Sequence, residues 1–207
     1  MAYLVLVRHG ESEWNAKGIW TGWTDVDLTE KGRKEAKLAA QLIRNMPIAL
    51  AFTSDLKRAK ETWNIIQQAL GLENVRATAS AALRERDYGN FDGMYKDEVE
   101  KEYGEELFQK WHRGWDYPVP HGETLKQVYE RVIPYDKEKI LPSLVAGKNV
   151  IITAHGNSLR ALVKYLDNVS GADIAGLNIP TGGVYVYRLD REGKVIDKEI
   201  RQTSQRA

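Results

Sequence analysis

The 207-residue sequence contains no cysteine, which excludes disulfide bonds, thiolate metal sites and cysteine nucleophiles. It has no apolar run approaching about 18 residues and no basic and apolar leader, so we expect no membrane segment. Neither sign of charge is in excess, because 30 Lys and Arg stand against 29 Asp and Glu. The net charge of +1 gives no global attraction to nucleic acid or an anionic membrane. We therefore expect a cytoplasmic chain with neither as partner.

The length and the order of the predicted elements favour one catalytic domain over residues 1–207. Aliphatic strand runs alternate with amphipathic helical periods, which is typical of a mainly parallel sheet covered on both faces. Strands are predicted at 3–7, 48–52, 75–77, 150–153, 184–189 and 195–200. Helices are predicted at about 29–45, 55–70 and 158–166, and in a stretch after Glu123 that Pro134 should kink. The predicted fold class is therefore α/β, a three-layer α/β/α sandwich with a mainly parallel mixed sheet.

Two histidine-glycine turns follow two of the predicted strands. Arg8-His9-Gly10 comes directly after the first strand, and Ala154-His155-Gly156 comes after the strand at 150–153. Ligands of open α/β sheets bind outside the carboxyl ends of the strands. The two histidines are therefore expected to share one site, although the sequence separates them widely.

The residue types around these turns are those that phosphoryl transfer requires. A neutral imidazole such as His9 can attack a phosphoryl group directly, provided that its other ring nitrogen is held by a hydrogen bond. Arg8 and Arg58 offer guanidinium groups, and the 156–158 turn opens a helix with free backbone N–H groups. Glu85 could exchange a proton with a substrate hydroxyl if burial raises its pKa towards neutrality. These residues predict a phosphate site.

The first turn lies within a longer motif, Leu-Val-Arg-His-Gly-Glu-Ser-Glu-Trp-Asn at 6–15. This motif resembles the signature of the histidine phosphatase superfamily, and specifically of its cofactor-dependent phosphoglycerate mutases. Further segments that resemble this family, in the same order, lie at 21–23, 27–32, 52–54, 56–59, 85–86, 88–89, 131–135 and 154–162. The resemblance runs from residue 4 to about residue 190, and so many ordered segments are far more specific than one tripeptide.

The resemblance implies a phosphoglycerate mutase-like fold and an activity. His9 would take a phosphoryl group from 2,3-bisphosphoglycerate and become phosphohistidine, without a metal. The reaction would interconvert 3-phosphoglycerate and 2-phosphoglycerate in glycolysis and gluconeogenesis, with Glu85 as general acid and base. The residues implied to hold the transferred phosphoryl group are Arg8, Asn15, Arg58, His155 and the amides of Gly156 and Asn157. Those implied to hold the remaining acid and phosphate groups are Ser12, Thr21, Gly22, Arg86, Tyr88, Lys96, His112 and Arg113.

His112 departs from the family pattern, since many relatives have paired arginines where this chain has His112-Arg113. A histidine holds an anion only while it is protonated, whereas Arg113 stays charged throughout. We therefore expect the contribution of His112 to substrate binding to grow as the pH falls through its titration range.

Three other functions remain to be weighed against this one. A phosphatase would use the same His9 intermediate and pass the phosphoryl group to water. A noncatalytic phosphopeptide or metabolite binder should lack at least one of the reactive residues, and all are present. A metal hydrolase could use His9, Glu11, Glu13 and His155, but no pair of histidines has the spacing of a zinc motif. The sequence leaves the oligomeric state open, including a homo-oligomer.

Overall fold

A computed structural model describes residues 1–202, and the last five residues of the predicted domain, 203–207, lie outside the described part. Six strands form one sheet in the order β3-β2-β4-β1-β5-β6. The strands are β1 (Ala2–Arg8), β2 (Leu50–Ser54), β3 (Ala77–Ser80), β4 (Val150–Ala154), β5 (Val184–Leu189) and β6 (Val195–Arg201). The first four are parallel to one another, and β5 and β6 pair antiparallel at one end. The sheet is therefore mixed and mainly parallel, as predicted.

Helices cover both faces of this sheet, which makes the three layers of the fold. The helices are α1 (Glu13–Ala16), α2 (Glu30–Leu42), α3 (Lys57–Leu70), α4 (Lys96–Tyr103), α5 (Glu105–Arg113), α6 (Leu125–Tyr135), α7 (Leu141–Val145) and α8 (Gly156–Leu166). Side chains alternate across a strand, so β1 sends Leu4 and Leu6 to one core and Val5 and Val7 to the other. The first core packs against α6, α7 and α8, and the second packs against α2 and α3. The predicted α/β sandwich is confirmed.

Local signals in the sequence fix several helix ends. The Thr29 side chain accepts a hydrogen bond from the Gly32 N–H and caps α2. Gly71 ends α3 in the left-handed conformation, with φ of 65°. Pro134 lies inside α6, and two residues later the helix changes to a π-helical turn at Asp136–Ile140. Proline cannot donate the hydrogen bond of a regular helix, so the predicted irregularity at this point has a local cause.

The segment between β3 and α6 forms a small core of its own beside the sheet. Helices α4 and α5, which the hydrophobic pattern did not predict, lie in this segment. Together with Trp20 from the loop after α1, the buried side chains of this core are mainly aromatic: Tyr88, Phe91, Val99, Phe108, Trp111 and Val119. Among the described residues, no helix has the length and apolarity that a membrane crossing requires.

Candidate active site

The register of the sheet brings the two histidine-glycine turns together. Parallel pairing of β1 with β4 places Arg8 opposite Ala154. The His9 N–H continues this ladder by donating to the Ala154 carbonyl at 2.9 Å. The imidazoles of His9 and His155 then meet edge to face, with ring centroids 5.0 Å apart. The predicted shared site is therefore a direct result of strand pairing.

His9 is held in the form that a nucleophile requires. Its Nδ1 lies 2.7 Å from the Gly10 carbonyl oxygen, which can only accept, so Nδ1 carries the proton and Nε2 keeps its lone pair. Burial lowers the pKa of His9 well below its usual value, and the charges of Arg58 and Arg8 lower it further. The side chain is thus neutral near pH 7, with Nε2 free to attack.

Close backbone packing holds the His9 turn against α2. A Cβ added to Gly10 would lie 2.1 Å from the Gly32 carbonyl oxygen, and a Cβ on Gly32 would lie 2.1 Å from the Glu11 carbonyl oxygen. The Gly10 N–H also donates to the Thr62 hydroxyl at 3.2 Å. Only glycine allows both approaches, so these positions fix the place of His9 relative to α2 and α3.

His9 opens into a cavity of about 220 Å³ at the carboxyl ends of β1 and β4. Of the predicted site residues, those that line it are Arg8, His9, Asn15, Thr21, Gly22, Arg58, Glu85, Tyr88, Lys96, His112, Arg113, Gly156 and Asn157. Five cationic side chains and a single carboxylate lie in the part of its wall that the structure describes. A small pocket with this excess of positive charge suits a compact polyanion.

Backbone carbonyls anchor the two arginines nearest His9, of which Arg58 is buried and Arg8 is half-buried. Arg58 donates to the Gly22 and Thr24 carbonyls at 2.8 and 2.9 Å, so it also holds the turn that forms part of the wall. Burial lowers the pKa of Arg58 to about 10, which leaves it charged near neutral pH. Arg8 donates from Nη1 to the Ile179 carbonyl, while its buried Nε has no partner within residues 1–202. An unpaired buried N–H of this kind favours an anionic ligand.

Glu85 is fixed through one oxygen and through its backbone. Its Oε1 accepts from the backbone N–H groups of Arg86 and Asn157 at 2.8 and 3.0 Å. Its carbonyl accepts from the Trp23 indole at 2.7 Å and from Arg131 at 2.9 Å. The other carboxylate oxygen, Oε2, would lie 3.5 Å from a Cβ at Gly156. That carboxylate therefore stands on the cavity wall near Gly156 and Arg8.

Three predicted site residues do not line the cavity. Ser12 is buried, and its hydroxyl caps α1 by accepting from the Asn15 N–H. Arg86 donates to the carbonyls of Glu123, Trp111 and Tyr117, so its charge braces the loops behind the wall. Neither side chain lines the cavity, so the contact of these two residues with substrate stays a prediction. The third, His155, is fully buried, and its ring packs edge to face against that of His9.

The Asn157 backbone N–H also differs from the expectation. The sequence predicted that it is free to hold a phosphoryl group, but it donates to Glu85 instead. The helix N-terminus of α8 therefore orients the carboxylate as well as facing the cavity. The His155 ring nitrogens are buried and lack partners among the described residues. Burial lowers the pKa of His155 well below its usual value, and Arg58, His9 and Arg8 lower it further.

His112 lines the cavity, but its expected pH dependence needs correction. Its ring packs edge to face on Trp20, with centroids 5.2 Å apart, and lies at 5.2 Å from the Phe108 ring. Burial lowers the pKa of His112 to about 3, and the charges of Lys96 and Arg113 add to this effect. The side chain is therefore neutral across the physiological range, so it provides packing and uncharged hydrogen bonding there.

Lys96 and Arg113 bring charge to the same side of the cavity. Lys96 begins α4 and stands over the Trp20 ring at 5.8 Å, and burial lowers its pKa. Arg113 ends α5 and donates to the Asn178 side chain at 3.3 Å. Both are half-buried, so each retains access to the cavity. Both line the cavity, and their hold on the remaining anionic groups of the substrate stays a prediction.

Five further lining residues were absent from the predicted set: Ile19, Trp20, Arg160, Asn178 and Ile179. Arg160 had a usable signal, because it follows Asn157 by three positions on α8 and so shares its helix face. Asn178 and Ile179 lie in a loop without periodicity, and no sequence pattern marks them. Trp20 was interpreted as a packing residue, and it does pack on Tyr88 with ring centroids 4.2 Å apart.

The geometry also bears on the metal hydrolase alternative. The Glu11 carboxylate accepts from Lys31 at 2.7 Å and from Thr29 at 3.0 Å, and it does not line the cavity. Within residues 1–202, no group of three His, Asp or Glu side chains is arranged to hold a metal ion. Glu11 is therefore not positioned as a ligand beside His9.

Comparison with known proteins identifies the class to which this fold and site belong. A model of the histidine phosphatase superfamily, branch 1, matches residues 4–200, so the chain belongs to that superfamily. The 2,3-bisphosphoglycerate-dependent phosphoglycerate mutase of Parvibaculum lavamentivorans is 47% identical over 199 residues and 95% of each chain. The phosphoglycerate mutase of Schizosaccharomyces pombe is 45% identical over 95% of this chain and 94% of its own. The chain is thus a member of the phosphoglycerate mutase family, which confirms the resemblance.

Solved structures of the superfamily share the fold. YhfR of Bacillus stearothermophilus superposes with a TM-score of 0.80, at 25% identity over 94% of each chain. A mycobacterial glucosyl-3-phosphoglycerate phosphatase, solved with VO3, superposes with a TM-score of 0.82, at 23% identity over 98% of each chain. This chain therefore shares its fold with a protein named as a phosphatase, and the fold alone does not distinguish a mutase from a phosphatase.

Proposed function

We propose that this chain is a 2,3-bisphosphoglycerate-dependent phosphoglycerate mutase that interconverts 3-phosphoglycerate and 2-phosphoglycerate through phosphohistidine at His9. Relatives with that name are 42–47% identical to the chain and cover most of it. The observation that carries the proposal is the set of side chains that line one cavity. The His9 nucleophile, the Glu85 carboxylate and five cationic side chains surround a space of about 220 Å³.

The residues present fit the cofactor that the name of these relatives implies. A compact bisphosphate needs several cations, and Arg8, Arg58, Lys96, Arg113 and Arg160 lie around the cavity. The buried Arg8 Nε, which has no partner within residues 1–202, is a further place for an anionic oxygen. When bound, 2,3-bisphosphoglycerate would supply the phosphoryl group that loads His9. No metal is part of this proposal.

The chemistry assigned to the chain begins at His9 Nε2. Nδ1 keeps its proton on the Gly10 carbonyl, so the lone pair of Nε2 forms the bond to phosphorus. Arg8 and Arg58 lie beside His9 and would offset charge on the phosphoryl oxygens in the transition state. The neutral His155 ring packs edge to face on His9, and its ring nitrogens have no partner within residues 1–202, so its N–H would donate to an oxygen of a phosphoryl group on His9.

Glu85 is assigned the proton transfer. When His9 is loaded, the P–O bond of the phosphoryl donor breaks as the P–N bond forms, and the Glu85 carboxyl gives its proton to the leaving oxygen. When the phosphoryl group leaves His9 for the hydroxyl of the bound monophosphoglycerate, the P–N bond breaks and the carboxylate takes the hydroxyl proton. Two backbone N–H groups hold Oε1, which leaves Oε2 for the substrate hydroxyl. Lys96 and Arg113 would hold the remaining anionic groups of the three-carbon acid.

The wider parts of the proposal follow from this activity. The whole chain, residues 1–207, acts as one catalytic domain whose partners are small phosphoglycerates, and glycolytic chemistry implies a cytoplasmic location. Nucleic acid and membrane are not expected as partners, and a homo-oligomer is left to direct measurement.

The test is an assay of isomerisation with and without catalytic 2,3-bisphosphoglycerate, in EDTA, with released phosphate followed in the same tube. Stimulated conversion of 3-phosphoglycerate to 2-phosphoglycerate with little phosphate release is the expected result. Phosphate release without isomerisation would identify a phosphatase that uses the same His9. If neither isomerisation nor phosphate release is detected, the result would contradict the proposal and favour a noncatalytic binder.

A further inference from the structure

Arg160 is a buried cation to which the proposed reaction assigns no contact of its own beyond its charge near the cavity. It lies on α8, is 4% exposed, and belongs to the cavity wall. Its Nη2 donates to the backbone carbonyls of Arg113 and Ile174 at 3.0 and 2.7 Å. Its Nη1 donates to Oδ1 of Asn157 at 2.9 Å. Two of its three bonds anchor the guanidinium group, and the third reaches a predicted site residue.

This third bond sets the direction of a hydrogen-bond chain. A guanidinium group can only donate, so the Asn157 atom that it contacts must be the carbonyl oxygen. The amide nitrogen, Nδ2, is then forced to point the other way, where it lies 2.7 Å from the Tyr88 hydroxyl. An amide nitrogen can only donate, so the Tyr88 oxygen accepts.

The direction of the chain decides what Tyr88 can offer to the cavity. Because its oxygen accepts from Asn157, its O–H hydrogen is available to an acceptor in the cavity, which Tyr88 lines. Burial raises the pKa of Tyr88 to about 12, so the hydrogen stays in place near neutral pH. If the amide were reversed, Asn157 would present its oxygen, and the Tyr88 hydrogen would be spent on it.

We propose that Arg160 is a positioning residue that fixes the Tyr88 hydroxyl as a hydrogen-bond donor to an anionic oxygen of the phosphoglycerate. This role rests on the proposed function for the identity of the substrate. It does not require Arg160 to contact the substrate, since Asn157 transmits the direction.

The test is a double-mutant cycle of Arg160→Met and Tyr88→Phe. Tyr88→Phe should raise KM for 3-phosphoglycerate roughly tenfold, as expected for the loss of one hydrogen bond to a charged group. In the Arg160→Met background, Tyr88→Phe should change KM by less than about twofold, because the hydroxyl is already misdirected. Arg160→Lys, which still only donates, should restore most of the tenfold effect. An equal effect of Tyr88→Phe in both backgrounds, or none in either, would overturn the proposal.

A second cycle covers the case in which Arg160→Met fails to fold. Asn157→Asp keeps the contact with Arg160, but both oxygens of the new carboxylate accept, so the Tyr88 hydroxyl must donate to it. Tyr88→Phe should therefore cost almost nothing in the Asn157→Asp background. The repulsion between the added charge and the substrate is present in both members of this pair and cancels in the comparison. A full tenfold cost would contradict the inference.

Binding separates this inference from the proposed function. The same variants are titrated with 3-phosphoglycerate by calorimetry, which needs no turnover. If 3-phosphoglycerate binds and the effects of the Arg160 and Tyr88 substitutions are coupled, but no isomerisation occurs, the role of Arg160 is retained and the mutase function is contradicted. If isomerisation occurs and the effects of the two substitutions are additive, the mutase function is retained and the role of Arg160 is contradicted. Lys164→Met is the matched control, since Lys164 lies one turn further along α8 and donates to the Val169 carbonyl, away from Asn157. It should leave the Tyr88→Phe effect unchanged.

Discussion

The cavity has two sides that are built in different ways. The strand-end side contains Arg8, His9 and His155, which lie at or directly after the ends of β1 and β4. The helical side contains Lys96 and Arg113, which lie on α4 and α5. Both histidines of the strand-end side are almost fully buried, whereas the cations of the helical side are half-buried. The reactive groups are thus placed by the sheet, and the outer cations are placed by a separate aromatic core.

This difference connects structure with the division of labour in the proposed reaction. Strand register fixes the His9 and His155 turns through backbone hydrogen bonds, and such positions are rigid. The helical side is held by side-chain packing on Trp20 and its neighbours. We therefore expect substitutions on the strand-end side to change the rate of the chemical step and those on the helical side to change substrate affinity. The predictions below test this division, from the largest effect to the smallest.

His9→Ala should abolish both isomerisation and phosphoryl labelling, because no other side chain replaces the Nε2 lone pair. The expected loss of kcat is at least about 10³-fold, as for other nucleophile removals. Steady-state assays and labelling from 2,3-bisphosphoglycerate measure the two effects. His121→Asn is the matched control, since His121 is exposed and its φ of 59° suits asparagine. Normal turnover in His9→Ala would exclude His9 as the nucleophile.

Gly10→Ala should disturb the strand-end side of the cavity by displacing the backbone of the His9 turn. The new Cβ would meet the Gly32 carbonyl oxygen at 2.1 Å, so the His9 turn or α2 must move. We expect kcat to fall by more than about tenfold and the free energy of unfolding to fall by about 1–3 kcal/mol. Gly176→Ala is the control, since its Cβ would meet no atom within 4 Å. Chemical denaturation and kinetics are the measurements, and an unchanged kcat would show that the turn tolerates displacement.

Lys96→Met changes the helical side of the cavity, so it should affect substrate affinity and leave the chemical step almost unchanged. Loss of one cation that faces the substrate should raise KM roughly tenfold and change kcat by less than about threefold. Lys101→Met is the control on the same helix, because Lys101 is exposed and faces Asp97 at 3.7 Å. Initial rates over a range of 3-phosphoglycerate concentrations measure both constants. A fall in kcat at constant KM would break the proposed division between the two sides.

His112 gives the smallest expected effect, on the pH dependence of stability. Its pKa is about 3 in the folded protein, against an ordinary value near 6.5, so the unfolded chain binds the extra proton first. This contribution lowers the free energy of unfolding as the pH falls from about 6.5 towards 3, by at most about 1.4 kcal/mol per pH unit. His112→Gln should therefore flatten the stability profile between pH 6.5 and 5, measured by urea denaturation. A slope equal to that of the unmodified chain would show that His112 titrates normally.

Much of the strand-end side could be predicted from the sequence. Local patterns in the sequence mark the aliphatic runs of β1 and β4 and the histidine-glycine pairs that follow them. Parallel pairing of the two strands then brings the histidines together. The helical side was predicted only through the family resemblance. The hydrophobic pattern did not predict α4 and α5, because α4 is short and highly charged, with Val99 as its one buried residue.

The differences between the predicted site and the lining of the cavity have a common physical reason. Ser12 and Arg86 stand in motifs that match the family, yet neither lines the cavity, and each makes hydrogen bonds within the protein. A motif gives the residue type and its position in the chain, but the direction of a side chain depends on the tertiary contacts around it. The same applies to Asn157, whose backbone N–H binds Glu85, and to Arg160, whose three acceptors come from separate segments. Such contacts are not visible in a linear pattern.

The most direct test of the central claim is the site of phosphorylation. The protein is loaded with isotopically labelled 2,3-bisphosphoglycerate, and the phosphorylated residue and ring nitrogen are identified by peptide mapping and phosphorus NMR. The account predicts one acid-labile phosphoryl group on His9, attached to Nε2, because Nδ1 donates to the Gly10 carbonyl. A phosphoryl group on Nδ1 of His9, or on any other residue, would contradict it.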